Sequence, residues 1–139
     1  TSFPVSLTYT NTNATFANSF DDDGDYWGVV ADGDDVPYVP DSSLRLVAGF
    51  VMTNGLSGNL RLVSNGDSCS TAACGTYQNI EAHKYMDVSL RKAMNENLDV
   101  YLVIENVLDS EDDVVARAPK DGARGLKPST TKLGFSYNF

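Results

Sequence analysis

Apolar and polar residues alternate along much of this chain with a period of two. In the last segment every second position holds a large apolar residue: Leu133, Phe135, Tyr137 and Phe139. Successive side chains of a β-strand point to opposite faces, so the pattern predicts a strand with one apolar and one polar face. The same pattern predicts six strands in all, at about residues 3–12, 42–52, 56–64, 82–94, 98–106 and 129–139.

The connections between these strands alternate between short and long. Thr53-Asn54-Gly55 and Asn95-Glu96-Asn97 are tight turns. The long loops fall at about residues 17–37, 64–80 and 106–128. Alternate connections of an antiparallel meander lie at the same end of the sheet, so the loops are sorted by length. Outer-membrane barrels show this asymmetry, with short periplasmic turns and long external loops.

Charged residues recur on the predicted polar face. They are Arg45, Arg61, Asp87, Arg91, Asp99, Glu105 and Lys132. Such a face suits a barrel lumen or the water-facing side of a soluble sheet, and the sorted loops favour the lumen. Six strands cannot close around a lumen, and an open sheet edge in lipid leaves backbone groups unpaired. We therefore predict an all-β, transmembrane antiparallel β-barrel to which residues 1–139 contribute six strands, with earlier strands and any plug encoded before Thr1.

Composition excludes several functional classes. The chain has 10 Lys and Arg against 19 Asp and Glu, a net charge of -9, which argues against nucleic-acid binding. No apolar run approaches the ~18 residues of a membrane helix. His83 is the single histidine and has no Ser or Cys partner at a recognisable spacing. We therefore predict that the protein is not an enzyme.

The first long loop is strongly acidic. Four of its carboxylates are spaced like part of a calcium loop: Asp21, Asp23, Asp25 and Asp32. The pattern differs from an EF-hand at Tyr26, where glycine is needed, and at Asp32, where glutamate is usual. Two interpretations remain, a solvated acidic loop or a Ca²⁺ site that orders the loop around Tyr26 and Trp27. No other cofactor is expected.

Two further groups of residues allow two interpretations each. Cys69 and Cys74 lie in a loop rich in Gly, Ser and Asn, which favours a small disulfide and an oxidising compartment over free thiols. The arginines of the polar face could guide an anionic ligand through the lumen. Alternatively, ion pairs with the acids of the same face neutralise them.

Short motifs follow one another in a distinctive order. They are Pro-Tyr-x-Pro at 37–40, Glu-Asn-x-x-Asp at 105–109, Val-Ala-Arg…Gly-Ala-Arg…Lys-Pro at 115–128, and the terminal aromatic Phe139. Together they resemble the carboxyl-terminal portion of TonB-dependent outer-membrane receptors, nearest to the ferric-dicitrate-receptor-like branch. The chain departs from that family at Leu108, where an aromatic is common, and just after Asp109, where a tyrosine is common.

The resemblance implies a roughly 22-stranded barrel with an amino-terminal plug, in the cell outer membrane of a Gram-negative bacterium. The implied function is TonB-dependent import of a scarce nutrient, most often a ferric siderophore or ferric citrate-like chelate. Its partners would be outer-membrane lipid, the rest of the barrel and its plug, the TonB complex, the barrel-assembly machinery and the chelate.

On this resemblance the long loops form a ligand vestibule, and Phe139 is the signal that the assembly machinery reads. We expect four vestibule residues to contact the ligand: Tyr26, Trp27, Arg117 and Arg124. Two alternatives stay open. One is a passive porin-like channel or outer-membrane adhesin, and the other is a soluble β-sandwich binding module.

Overall fold

A computed structural model of the protein describes residues 1–21, 29–74, 80–116 and 123–139. Within these ranges the chain is all-β apart from one 3₁₀ turn, Ala72–Cys74. No helix in them is long and apolar enough to cross a membrane. The strands are β1 (Val5–Asn11), β2 (Phe20–Asp21), β3 (Val29–Val30), β4 (Ser42–Val51), β5 (Leu56–Asn65), β6 (His83–Ala93), β7 (Leu98–Glu105), β8 (Asp113–Ala116), β9 (Ala123–Gly125) and β10 (Thr130–Tyr137).

Six of these strands form one antiparallel sheet in the order β1-β4-β5-β6-β7-β10. Their bounds lie within two residues of those that the alternation predicts. Two small hairpins, β2 with β3 and β8 with β9, lie in the first and last long loops and are not predicted by the alternation. Strands of two to four residues are too short to show a period.

The register places most apolar residues of the six strands on one face of the sheet, although Val47, Val63 and Val103 lie on the other. Leu62 pairs with Leu46 on one side and with Met86 on the other. Arg61, one position earlier, pairs with Val47 and Asp87 on the opposite face. Directly opposed residues of antiparallel strands share a face, so the apolar face has continuous apolar rows, whereas rows of the opposite face mix charged and aliphatic residues.

Burial is concentrated in the loops. No residue of the six main strands is buried, although every one of them is described. Leu133 and Phe135 of β10 are 76% and 73% exposed. Buried residues of the described ranges instead come from the loops: Val30, Pro37, Cys69, Ser70, Thr71, Ala72, Ile80 and Asn106.

The apolar face of the six-stranded sheet is uncovered. In the described part of the chain, no second layer packs on it. A soluble β-sandwich buries the facing sides of two sheets against each other. A continuous apolar face of this extent marks an interaction surface, which contradicts the sandwich alternative for these residues.

The two tight turns lie at the end of the sheet opposite the long loops. Gly55 has a φ of 79°, a conformation that costs glycine little. Met52 N donates to Leu56 O at 2.8 Å, and Leu56 N donates to Asn54 Oδ1 at 3.1 Å. These bonds close the connection between β4 and β5.

Candidate functional site

The polar face carries a trough of about 710 Å³. Its wall is largely apolar, with valines at 47, 51 and 103. The polar members of the lining are Ser57, Asn59, Ser89, Tyr101 and three arginines, Arg45, Arg61 and Arg91. No acidic side chain is among the described residues that line it. The trough is therefore a basic depression on a sheet whose chain as a whole is acidic.

Two of the three arginines are paired. Arg61 donates to Asp87 Oδ2 through Nε at 3.0 Å and through Nη2, and its guanidinium lies 5.8 Å from the centre of the Tyr85 ring. Arg91 Nη2 lies 2.6 Å from Asp99 Oδ2. Both arginines therefore form ion pairs with acids of the same face, as one of the two interpretations predicts. Their positive charge is largely compensated.

Arg45 differs from the other two. Its register partners are Thr8 and Val63, which offer no carboxylate. Among the described residues its guanidinium makes no ion pair and no hydrogen bond. Tyr85 is the next residue along the same row, on the far side of Val63. A guanidinium without a carboxylate partner among the described residues therefore lies at the loop end of the trough.

Tyr101 and Gly134 shape the other side of the trough. They are register partners on β7 and β10. A Cβ atom at Gly134 would lie 2.4 Å from the Tyr101 ring, so the ring packs flat over this glycine. Any side chain at position 134 would lift Tyr101 away from the wall.

Asn106 organises the base of the last long loop. It is 5% exposed and has a φ of 50°, which asparagine tolerates better than most residues. Its Nδ2 donates to Ser110 O at 2.9 Å and to Lys127 O at 3.0 Å, and its Oδ1 accepts from Ser110 N at 3.2 Å. One side chain thus joins the two ends of the loop.

The same point is tied to the polar face. Asn106 N donates to Asp87 Oδ1 at 2.9 Å, while the other oxygen of Asp87 binds Arg61. Glu105 lies 2.9 Å from Lys127 Nζ and 2.5 Å from Lys132 Nζ. The Glu-Asn-x-x-Asp motif is therefore a junction that fixes the loop base to the sheet wall.

The first two long loops pack against each other. Val30 and Ile80 are 1% and 2% exposed. Tyr38 N, in the Pro-Tyr-x-Pro segment, donates to Cys69 O at 2.8 Å. Cys69 and Cys74 form the predicted disulfide. The loops therefore have a small core of their own, separate from the sheet.

An open groove of about 820 Å³ lies between these two loops. Its lining includes Asp35, Asp41, Asp67 and Glu81 and, within the described residues, no lysine or arginine. The groove and the trough therefore differ in charge.

Breaking the disulfide should loosen this loop core and leave the sheet intact. So short a loop contributes about 2 kcal/mol in the chain-entropy model. We expect the variant Cys69→Ser with Cys74→Ser to be cut faster by protease within residues 66–82, with unchanged heat resistance of the sheet. Equal cutting of both proteins would contradict this.

Several predicted site residues lie outside the described ranges: Asp23, Asp25, Tyr26, Trp27 and Arg117. Of the other predicted calcium ligands, Asp21 ends β2, and Asp32 N donates to Ser19 Oγ at 2.9 Å. The grouping of possible ligands within the described residues is Asp35 with Cys69 and Cys74, whose sulfurs are used by the disulfide. Arg124 belongs to β9. The calcium site and the four vestibule contacts stay predictions.

Phe139 lies beyond β10, at the end that carries the tight turns. Its ring makes an edge contact with Tyr137, with centroids 5.1 Å apart. Asn138 N donates to Asn97 O at 2.9 Å, and Asn97 Nδ2 donates to Asn138 O at 2.8 Å. The last residues are thus attached to the turn between β6 and β7, while the Phe139 side chain stays fully exposed.

Solved structures with a similar fold are bacterial receptors. The ferric-catecholate import receptor Fiu of E. coli K12 matches 99% of this chain with a TM-score of 0.76 and 24% sequence identity. The siderophore receptor PiuA of Acinetobacter baumannii matches 97% of it with a TM-score of 0.76 and 17% identity. The chain spans 19% of the length of each. It therefore has the all-β fold of one segment of these receptors.

The other two comparisons add no relative. No protein-family model matches the sequence, and no curated protein matches it. At these identities the structural likeness defines the fold of the chain, and its function is a matter for proposal.

Proposed function

We propose that this chain is wall and external loop of an outer-membrane barrel that imports a ferric chelate with energy from the TonB complex. One observation carries the proposal. The sheet has an uncovered apolar face, a charged opposite face and all its long loops at one end, and this arrangement superposes on an iron-chelate receptor over 99% of the chain. In this setting the apolar face contacts lipid and the trough faces the lumen.

The barrel wall and the plug act together in such a receptor. Transport is therefore tested in the complete protein. A strain without its own ferric-chelate receptors, producing the complete receptor, should accumulate labelled iron from a ferric catecholate or from ferric citrate. Uptake should stop when the proton gradient is collapsed. A passive channel would continue to admit the chelate, and an adhesin would admit none. Comparing the two chelates also tests the dicitrate-like assignment.

The trough supports an anionic ligand. Ferric catecholates and ferric citrate carry negative charge, and a guanidinium without a carboxylate partner attracts anions. Arg45 is the arginine of the trough that meets this condition, whereas Arg91 is held by Asp99. We therefore propose that Arg45 contacts the chelate as it enters the lumen.

Replacing Arg45 should weaken chelate binding. We expect Arg45→Gln to raise the Kd of the complete receptor for an anionic ferric chelate at least about tenfold, because one charge-assisted hydrogen bond is worth about 1.5–3 kcal/mol. The matched control is Arg91→Gln combined with Asp99→Asn, which removes an existing ion pair and leaves the net charge unchanged. Equal losses in both variants, measured by fluorescence quenching, would contradict a specific role of Arg45.

Phe139 is proposed as the assembly signal. Its side chain contributes one edge contact with Tyr137 and is otherwise exposed, so its removal should change stability little. We expect deletion of Phe139 to lower the amount of folded receptor in the outer membrane several-fold, while the assembled fraction keeps its normal resistance to heat. Unchanged assembly would contradict the proposal.

A further inference from the structure

The apolar face of the sheet carries two charged side chains among the residues of its six strands. Both are lysines, Lys84 and Lys92, and both belong to β6. The acids of the six strands lie on the polar face instead: Asp87, Asp99 and Glu105. Charge on the apolar face is therefore sparse and of one sign.

The two lysines bound the apolar stripe of their strand. Met86, Val88 and Leu90 occupy the positions between them on the same face. The two lysines are eight residues apart, and a strand rises about 3.3 Å per residue, so their Cα atoms are separated by about 26 Å. Barrel strands tilt by about 35–45°, so this separation covers about 20 Å along the membrane normal, and the two Cα atoms fall just inside the borders of an apolar band about 25 Å tall. Lysine keeps its ammonium in water while its methylene stem covers apolar surface, so a lysine fits each border of such a band.

The two ammonium groups differ in their contacts and lie at opposite ends of the apolar stripe. Lys92 Nζ donates to Asn54 O of a tight turn at 2.5 Å. Lys84 is exposed, and its side chain makes no ion pair or hydrogen bond with any described residue. Its register partner on β5 is Ser64, and the same row continues to Leu44 and Tyr9. Lys84 is thus an uncompensated cation on a neutral row at the loop end of the apolar face.

We propose that Lys84 binds the phosphate of a membrane lipid headgroup at the border nearest the long loops. The proposal rests on the proposed function, since it takes the apolar face to lie in a bilayer. Phosphate is the anion of the lipid headgroup region, which borders the apolar band. The Lys84 ammonium lies between the apolar residues and the loops, so it can bind this phosphate. The lipid is recognised by its charge, while its acyl chains cover the stripe of β6.

Native mass spectrometry of the complete receptor tests this. The receptor in mild detergent is offered phosphatidylglycerol or a monogalactosyl lipid with the same acyl chains. A lysine near an anionic lipid surface is worth about 1 kcal/mol, so we expect Lys84→Gln to lower retention of phosphatidylglycerol about fivefold. Lys84→Arg should keep most of it. Lys92→Gln is the matched control, on the same strand and face, and should bind as the unchanged receptor does.

Three results would overturn the proposal. They are equal retention of phosphatidylglycerol by Lys84→Gln and the unchanged receptor, equal loss in Lys92→Gln, and equal retention of both lipids by the unchanged receptor. Failure of the proposed function is distinguishable, because a protein that is not a membrane barrel would remain soluble without detergent and retain neither lipid.

Discussion

On the proposed placement of the sheet in a membrane, introducing a positive charge at Val88 should strongly destabilise the assembled barrel. Val88 lies on the apolar face, midway between Lys84 and Lys92, with Leu60 and Ile104 as its register partners. An arginine at the middle of a lipid-facing barrel wall costs about 2–4 kcal/mol. We expect Val88→Arg to lower the free energy of unfolding in lipid vesicles by this amount, measured from denaturant midpoints and from the folded band on gels.

The neighbouring position provides the control. Ser89 is on the same strand but points to the polar face, where its register partners are Asn59 and Val103. Ser89→Arg places the same side chain at the same depth in the lumen, so we expect a change below about 1 kcal/mol. A loss in Ser89→Arg that equals or exceeds the loss in Val88→Arg would show that the two faces are assigned the wrong way round.

Removing the side chain of Asn106 should open the last long loop. Asn106→Ala deletes three hydrogen bonds and leaves polar groups of Ser110 and Lys127 without their partner. Each buried polar group left unsatisfied costs about 1–3 kcal/mol, and alanine tolerates a positive φ less well than asparagine. We expect the backbone amides near Ser110 and Leu126 to exchange hydrogen at least tenfold faster, with little change in β4 or β5.

Two further variants sharpen this test. Asn106→Asp keeps the acceptor for Ser110 N but sets an anionic oxygen against the carbonyl oxygens of Ser110 and Lys127, so its exchange rates should be at least as high as those of Asn106→Ala. Asn95→Ala removes an asparagine whose Oδ1 also accepts two bonds, from Asn97 N and Leu98 N, in an exposed turn at the other end. It should leave the last loop unchanged. Normal exchange at Ser110 in Asn106→Ala would contradict the role assigned to this residue.

The sequence predicts the sheet well because its signal is repeated. An alternation sustained over eight to eleven residues fixes each strand from β4 to β7 and the face each residue occupies. Sorting of the loops then needs no further information, since it follows from the order of short and long connections. The hairpins inside the loops were missed because a two-residue strand has no period.

The arginines show why a site is harder to predict than a strand. Arg45, Arg61 and Arg91 look equivalent in the sequence. Register separates them, because Arg61 faces Asp87 directly, whereas Arg45 faces Val63 and Thr8. Sequence alternation reports the face of a residue, but its neighbour across the sheet depends on turn geometry.

Asn106 illustrates a second limit. Its motif was noticed through resemblance alone, and nothing in the residues pointed to a structural junction. Its side-chain partners are Ser110, four residues away, and Lys127, twenty-one residues away. Contacts between residues that a long irregular loop connects produce no periodic pattern in the sequence. They become visible only in the three-dimensional structure.

The small core shared by the first two loops has a consequence for evolution. Val30 and Ile80 are buried among loop residues, away from the six-stranded wall. A substitution in the shared core of one loop must therefore be accommodated by the other loop. The structure of the six-stranded sheet should stay unchanged. If the proposed function holds, ligand preference would diversify by paired changes in these two loops. Grafting both together onto a related wall should preserve their shape, whereas moving either one alone should not.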